Sequence, residues 1–234
     1  MIKAYEANSI REIIMWTEEL DISDRYIFRG QTEDWPLIAS VYRPTERYKP
    51  DCDTDPLIRK EKQILDHFKK RAIPNLTYEP KNTLEWLAVA QHHGVPTRLL
   101  DWTFSALIAA YFACKEMGAG KKSRQAVIYA LKQPKHVTKA IQDSPFNKMD
   151  GRRISMFESP FIHPRIFAQQ SCLTIQSHNF DFSNLLKLKI TKKFEGEIKR
   201  KLNGLGINSY SMSPDLNGLG EYIKWNHKWN EFRY

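Results

Sequence analysis

Three short stretches of this 234-residue chain carry side chains whose types and order suit chemistry on an anion or a sugar. The first is Phe28-Arg29-Gly30-Gln31. A planar guanidinium grips phosphate through two parallel hydrogen bonds, and a neighbouring glycine lets a ligand approach the backbone. The competing reading is an arginine held in a structural ion pair. The second stretch runs Gln91-His92-His93-Gly94-Val95-Pro96-Thr97-Arg98-Leu99-Leu100-Asp101-Trp102-Thr103 and leads straight into an apolar segment. Polar groups at the mouth of a core helix must be satisfied by each other or by a ligand. Either Arg98 pairs with Asp101 to staple a tight loop, with Thr103 or Asp101 capping the helix, or the run lines a site. The adjacent His92 and His93 point differently and no third ligand stands at a metal spacing, so no metal site is expected. The third stretch is Phe167-Ala168-Gln169-Gln170-Ser171. Its two amides can orient a sugar or an amide group; otherwise it is an ordinary polar loop.

These stretches need elements to hold them. Ser9 with Glu12 makes a capping box, and Ile10, Ile13, Ile14 and Leu20 give 9–20 a helical apolar face. A short strand follows at 25–28, ended by Gly30. Asp55-Pro56 opens a helix with Leu57, Ile64, Leu65 and Phe68 on one face. Another helix spans 82–93 and stops at Gly94. The segment 104–117 is apolar nearly all round, the mark of a buried helix. QAVIYAL at 125–131 and CLTIQ at 172–176 read as strands, and the proline-bearing 143–164 as a long loop, like 31–54. Leu186, Leu188 and Ile190 alternate with Lys187, Lys189 and Thr191, a half-buried strand with a basic outer face. Helices at 193–203 and 214–229 close the chain. Strands and helices do not alternate as a doubly wound sheet requires, so one α+β domain over 1–234 is expected.

Composition narrows the partners. Thirty-six Lys and Arg against 27 Asp and Glu give a formal net charge of +9, which favours polyanions such as nucleic acid or a nucleotide. The lysine-rich run at 187–201 is either a solvated face or a phosphate footprint. Three scattered cysteines, Cys52, Cys114 and Cys172, suit a reducing compartment better than a disulfide scaffold. The first residues lack a basic stretch followed by an apolar run, and the longest apolar stretch, 106–114, is far short of the ~20 residues of a membrane span. The expectation is a cytoplasmic protein with no membrane partner.

The blocks in their order resemble the FRG domain family, named for its (F/Y)-R-G tripeptide. FRGQ at 28–31, WPLIASVYRP at 35–44, QHHGVPTRLLDWT at 91–103, AAYFA at 109–113, AQQS at 168–171 and SPDLNGLGEYIK at 213–224 carry the resemblance. Ser171 stands where a glycine is expected after the glutamines, and Met212 where the family tends to have an aromatic. The order also resembles that of the mono-ADP-ribosyltransferases: an arginine on the first core strand, a hydroxyl-bearing second motif, a small-residue helix, and a third motif before a strand.

That resemblance implies an ADP-ribosyltransferase-like core of mainly antiparallel strands with flanking helices, and NAD as the substrate cofactor. Arg29 would hold the diphosphate, hydroxyls such as those of Thr97 and Thr103 with a carboxylate would brace the nicotinamide ribose, and Phe28, Gly30, Gln31 and Arg98 would complete the cofactor-binding set. Trp102, His93 or Phe28 would stack on the nicotinamide ring, and Gln169 and Gln170 would occupy the third motif. A glutamine cannot supply the negative charge that an electron-poor sugar needs, so Asp101, Glu158 or Asp215 supplies it, or catalysis is lost. Arg29, Asp101 and Gln170 are the expected catalytic set. The implied function is transfer of ADP-ribose to a nucleic acid or protein acceptor, in a toxin or anti-phage setting with an antitoxin or inhibitor protein as partner. The alternatives are a non-catalytic nucleotide or nucleic-acid binding module of the same fold, and an NAD glycohydrolase or nuclease with His92 or His93 as general base.

Overall fold

The computed structural model describes residues 5–21, 23–43, 54–115, 125–147, 153–160, 163–177, 180–182 and 185–229. Cys52, Pro44, Met117 and the side chain of Asp55 lie outside the described residues, as do parts of the expected loops at 31–54 and 143–164.

Among the described residues seven strands form one sheet: β1 (Tyr5–Ala7), β2 (Tyr26–Gln31), β3 (Leu99–Thr103), β4 (Ala126–Lys132), β5 (Ile154–Phe157), β6 (Ser171–Gln176) and β7 (Leu186–Ile190). Their spatial order is β1-β7-β4-β2-β3-β6-β5. Every neighbouring pair is antiparallel except β1 with β7. Helices α1 (Ile10–Glu18), α2 (Thr54–Ala72), α3 (Thr83–His92), α4 (Ala106–Ala113), α5 (Lys139–Asp143), α6 (Pro164–Ala168), α7 (Glu195–Gly204), α8 (Ser209–Met212) and α9 (Leu216–Trp229) flank it. The fold is α+β.

Local sequence explains the helix ends. Ser9 Oγ accepts the Glu12 amide hydrogen, and Glu12 reaches back to accept from the Asn8 amide at 2.7 Å. Asn82 caps α3 in the same way, accepting from the Glu85 amide at 2.9 Å. Gly94, at φ +80°, ends α3 as its expected stop: in this left-handed conformation the Val95 amide turns back onto the Ala90 carbonyl at 2.9 Å.

Three apolar clusters fix the layers. Ile13 of α1, Ile108 and Ala109 of α4, and Ile198 and Leu202 of α7 pack on Ile128 of β4 and Leu188 and Ile190 of β7. Ile27, Leu100, Trp102, Val127 and Tyr129 of the sheet pack with Val41, Tyr42 and Leu57. Leu65 of α2 and Leu84 and Leu87 of α3 cover Leu99, Leu173 and Ile175 at the other end.

Two features of β2 set up the rest. First, alternation puts Phe28 and Gly30 on one face and Ile27, Arg29 and Gln31 on the other. Phe28 meets Trp16 edge-on, ring centroids 6.1 Å apart. A Cβ on Gly30 would sit 1.8 Å from the Ala109 carbonyl oxygen and 2.7 Å from the Ala113 amide nitrogen. The glycine of the tripeptide therefore serves contact with α4, whose alanines at i and i+4 let the helix backbone settle on the strand. Second, β2 pairs with β4 along its whole length and β3 with β6 along its whole length, yet the ladder between β2 and β3 consists of Phe28 opposite Thr103. Beyond that pair the two central strands part.

Four sequence expectations change. Leu99–Thr103 is a central strand, not part of a tight loop, because Leu99 and Leu100 are buried on opposite faces. The apolar helix is shorter than 104–117 and is capped by Ser105, whose Oγ accepts from the Ile108 amide, not by Asp101 or Thr103. The span 143–164 contains the edge strand β5, paired with β6. A short helix, α8, stands before α9, opened by a capping box of Asn208 and Ser211.

Candidate functional site

Where β2 and β3 part, a cavity of about 390 Å³ opens. Phe28, Arg29 and Gly30 of β2, Asp101, Trp102 and Thr103 of β3, Gln91 and His92 of α3, Arg165 of α6 and Gln169 just after it line its walls. Among the described residues Asp101 is the one carboxylate on those walls.

The Arg29 guanidinium stands in the parted seam. Its Nη1 donates to the Asp101 main-chain oxygen at 2.6 Å, taking the place of a strand-to-strand bond. Its Nε donates to Gln31 Oε1 at 3.4 Å, and Gln31 is fixed in turn by donating to the Trp35 carbonyl at 2.9 Å. The nearest carboxylate oxygen, Asp101 Oδ2, lies 3.9 Å away. The arginine side chain is 16% exposed while that of Asp101 is 66% exposed, so the partner carboxylate spends its charge largely in water. Burial pulls the Arg29 pKa down, Asp101 pushes it back, and Arg43 pulls it down again. An anion entering the seam would relieve that imbalance.

Asp101 is itself oriented: Gln91 Nε2 donates to its Oδ1 at 2.7 Å. The same Gln91 accepts, through Oε1, from the Thr97 hydroxyl. Thr97 is thus wholly buried as a brace; its Oγ1 also accepts the Leu99 amide at 3.2 Å. Thr103 closes the other end of β3, its hydroxyl donating to the Gln169 carbonyl at 2.8 Å.

His92 lines the cavity and His93 does not; His93 faces away, onto Phe68, Val95 and the end of α2. The His92 ring lies 4.5 Å from that of His163. Burial first, then the neighbouring His163, His93 and Arg165, push the His92 pKa down to about 4. His163 moves down for the same leading reason, and its Nδ1 accepts the Arg165 amide at 3.2 Å as the cap of α6. His92 is therefore a neutral imidazole at pH 7. Arg165 is paired with Asp215 through its Nε at 3.1 Å. The Gly218 amide, then Arg165 and Ser213, hold the Asp215 carboxyl down at about 2.

The cavity brings together Phe28, Arg29, Gly30, Asp101, Trp102, Thr103 and Gln169 from the expected set. Five others stand elsewhere. Arg98 makes an internal ion pair: Nε donates to Glu61 Oε2 at 2.8 Å, Nη1 to the Pro145 carbonyl at 2.9 Å, and its partner is Glu61, not Asp101. Thr97 is buried, His93 faces away, and Gln31 buttresses Arg29 from behind. Gln170 has φ +43° and its main-chain oxygen accepts the Phe104 amide at 3.0 Å; its exposed side chain is off the cavity. Trp102 borders the cavity, yet its indole is 2% exposed and donates to Thr174 Oγ1 at 2.9 Å, so it belongs to the core and cannot stack on a ligand ring. Of the other acids considered, Glu158 pairs with His136 at 3.6 Å and Asp215 with Arg165, both off the walls. Sequence reasoning missed His163 and Arg165. The signal was there, since a histidine before Pro164 marks a capped helix start ahead of the two glutamines.

Among the described residues no helix is long and apolar enough to cross a membrane. No curated protein and no solved structure matches the chain. Residues 24–122, which hold β2, β3, α4 and most of the cavity's polar walls, match the family model described as FRG domain. Over that span, somewhat under half of its length, the chain is similar to the FRG domain family.

Proposed function

We propose that the seam cavity binds NAD and that the protein transfers ADP-ribose from it to a macromolecular acceptor. The observation that carries this reading is the Arg29 guanidinium, mostly buried at the parting of two central strands and compensated mainly by neutral oxygens. Such a cation suits a diphosphate, which it can grip through two oxygens at once. The apolar wall at Phe112 suits the flat face of a base.

NAD supplies a glycosidic bond that breaks with its electron pair leaving on neutral nicotinamide, and an electron-poor sugar that an acceptor heteroatom captures. Asp101, anchored by Gln91, is the wall group able to steady the positive sugar. His92, held neutral by burial, takes the proton that the acceptor heteroatom loses. Gln169 lines the cavity through a side chain whose Nε2 donates to the Met212 carbonyl at 2.8 Å, and it positions the wall on the acceptor side.

A second reading rests on that same glutamine. No carboxylate stands at the third motif, Gln169 is tied to Met212, and Gln170 is turned out of the cavity. A nucleotide-binding module without turnover fits those facts. One experiment separates the two. The protein is incubated with NAD labelled in its adenylate, alone and with RNA, single-stranded DNA or mixed cell protein. Label carried onto an acceptor, and lost in Arg29→Ala, is the expected result. Saturable NAD binding with no label transfer selects the binding module, and nicotinamide release without a labelled acceptor selects hydrolysis. Neither binding nor turnover overturns the reading.

A further inference from the structure

Arg43 is an exposed cation, and among the described residues no carboxylate comes within ion-pair distance of it. Its guanidinium is nevertheless held in place: Nε donates to the Ile38 carbonyl at 3.0 Å. Arg29 is tied to the other end of the same short segment, 35–38. Its Nε meets Gln31 Oε1, and Gln31 Nε2 donates to the Trp35 carbonyl at 2.9 Å. Three residues of fully extended chain reach at most about 11 Å. This stretch is folded shorter, since the Ile38 amide donates to the Pro36 carbonyl at 2.9 Å. Both of its ends are anchored. Just before it, Asp34 accepts from the Tyr129 hydroxyl at 2.6 Å and from Lys187 at 3.0 Å. Just after it, the Val41 amide donates to the Thr97 carbonyl at 3.2 Å, and the Thr97 amide to Ser40 Oγ at 3.0 Å, which hangs the stretch on the approach to β3.

Two guanidiniums are thus hung on one fixed segment at the parting of β2 and β3. Like charges so placed repel, and Arg43 accordingly pulls the Arg29 pKa down. The acids just before the segment do not answer them: Asp34 is engaged by Tyr129 and Lys187, and neither it nor Glu33 pairs with Arg43. Asp101 faces Arg29 from the other strand, at 3.9 Å. An anion with two charged centres on a short bridge relieves the repulsion, while a single phosphate on Arg29 leaves Arg43 unanswered. We infer that Arg43 is the second guanidinium of the anion site, so that the parted strands hold a diphosphate, one phosphate on Arg29 and the other on Arg43.

The inference deepens the transferase reading and rests on it for one point, that the diphosphate is that of NAD. The preference for two linked phosphates over one does not depend on turnover.

The test is equilibrium binding of ADP-ribose and of AMP at fixed ionic strength. The two carry nearly equal charge, spread over two phosphates in the first and held on one in the second. The wild type should prefer ADP-ribose. Arg43→Gln should weaken ADP-ribose about tenfold and AMP less than about twofold, the loss of one charge-assisted contact. Arg29→Ala should weaken both. Lys70→Gln, which removes the same charge at the far end of α2, should move neither. With NAD as substrate, Arg43→Gln should raise KM about tenfold and leave kcat within about twofold, since the contact is made equally before and during reaction. Should the glutamine variant melt early, Arg43→Lys keeps the charge but not the planar fork, and should still weaken ADP-ribose about threefold. A wild type that binds neither ligand, or AMP as well as ADP-ribose, overturns the inference, as does an Arg43→Gln that weakens both ligands equally or neither. Label transfer from NAD that Arg43→Gln leaves at an unchanged KM removes the inference and keeps the transferase. Binding of ADP-ribose that needs both arginines, with no label transfer, keeps the inference and removes the transferase.

Discussion

Two arginines of the FRG blocks sit in adjoining parts of one sheet and are treated in opposite ways. Arg98, at the start of β3, has its head group held by Glu61 from α2, by the Pro145 carbonyl, and by the Phe146 ring 4.7 Å away. Even its main-chain amide donates to Glu61, at 2.9 Å. The two side chains are 7% and 1% exposed, so this is a closed ion pair shut off from solvent. Arg29, on β2, has a main-chain oxygen, an amide oxygen at 3.4 Å and a carboxylate at 3.9 Å that faces water. The first arginine is paired from within. The second has room for an anion. Residue type and the surrounding motif are alike; what separates structure from site is whether a buried carboxylate from another element completes the guanidinium.

The contrast can be broken at either end. The largest effect belongs to the closed pair: Glu61→Ala strands a buried guanidinium and should cost about 3–5 kcal/mol of stability, read by urea unfolding. Next comes the open arginine. Arg29→Ala should reduce ribosyl transfer by about 10²–10³ while moving the unfolding midpoint little. A loss of stability matching that of Glu61→Ala would make Arg29 a second structural arginine and end the distinction. Asp101→Asn keeps the hydrogen bond to Gln91 and removes the charge; transfer should fall about tenfold to a hundredfold, with NAD binding nearly intact. If NAD binding tightens markedly instead, Asp101 competes with the diphosphate for Arg29.

Acid sharpens the picture further. His92 takes a proton in the folded protein only near pH 4, but in the unfolded chain near its ordinary 6.5. Between those values the unfolded state holds more protons, so stability is full above about pH 6.5 and falls as pH drops toward 4. His92→Gln should flatten that limb of a melting-temperature profile. Asp215 acts lower down: its contribution is present above 3.8 and is lost toward pH 2. The smallest effect is at Gln170, whose φ of +43° suits glycine; Gln170→Gly should add about 1 kcal/mol and leave transfer unchanged.

Much of this was legible in the chain and some was not, for physical reasons. The amphipathic α1, the buried α4 and the alternating β7 announce themselves because each buries one clear face or, for α4, nearly all faces. β3 hides because it is buried on both faces except at Asp101, so it shows no period of two, and its polar neighbours read as a loop. β5 hides because four residues at a sheet edge carry little pattern. Within the site, Arg29 and Asp101 were readable from type and order. Glu61 was not, since nothing local tells which helix will bring a carboxylate to Arg98 from 37 residues away. The division between His92 and His93 also needed the fold: the two rings meet edge-on, centroids 5.2 Å apart, yet His92, the last residue of α3, turns into the seam cavity and His93, just past it, turns toward Phe68 and Val95. Lys187, read with its neighbours as a basic outer face, is in part a tether, donating to Asp34 at 3.0 Å over the Tyr129 ring.

The lone Phe28–Thr103 rung joins a four-stranded leaf, β1-β7-β4-β2, to a three-stranded leaf, β3-β6-β5. Each leaf is fully laced within itself, and the guanidinium lies in the gutter, where its bond to the Asp101 main-chain oxygen and the cluster of Ile27, Leu100, Trp102 and Val127 tie the two leaves together. Amide hydrogens along the gutter should accordingly exchange with solvent sooner than those inside either leaf.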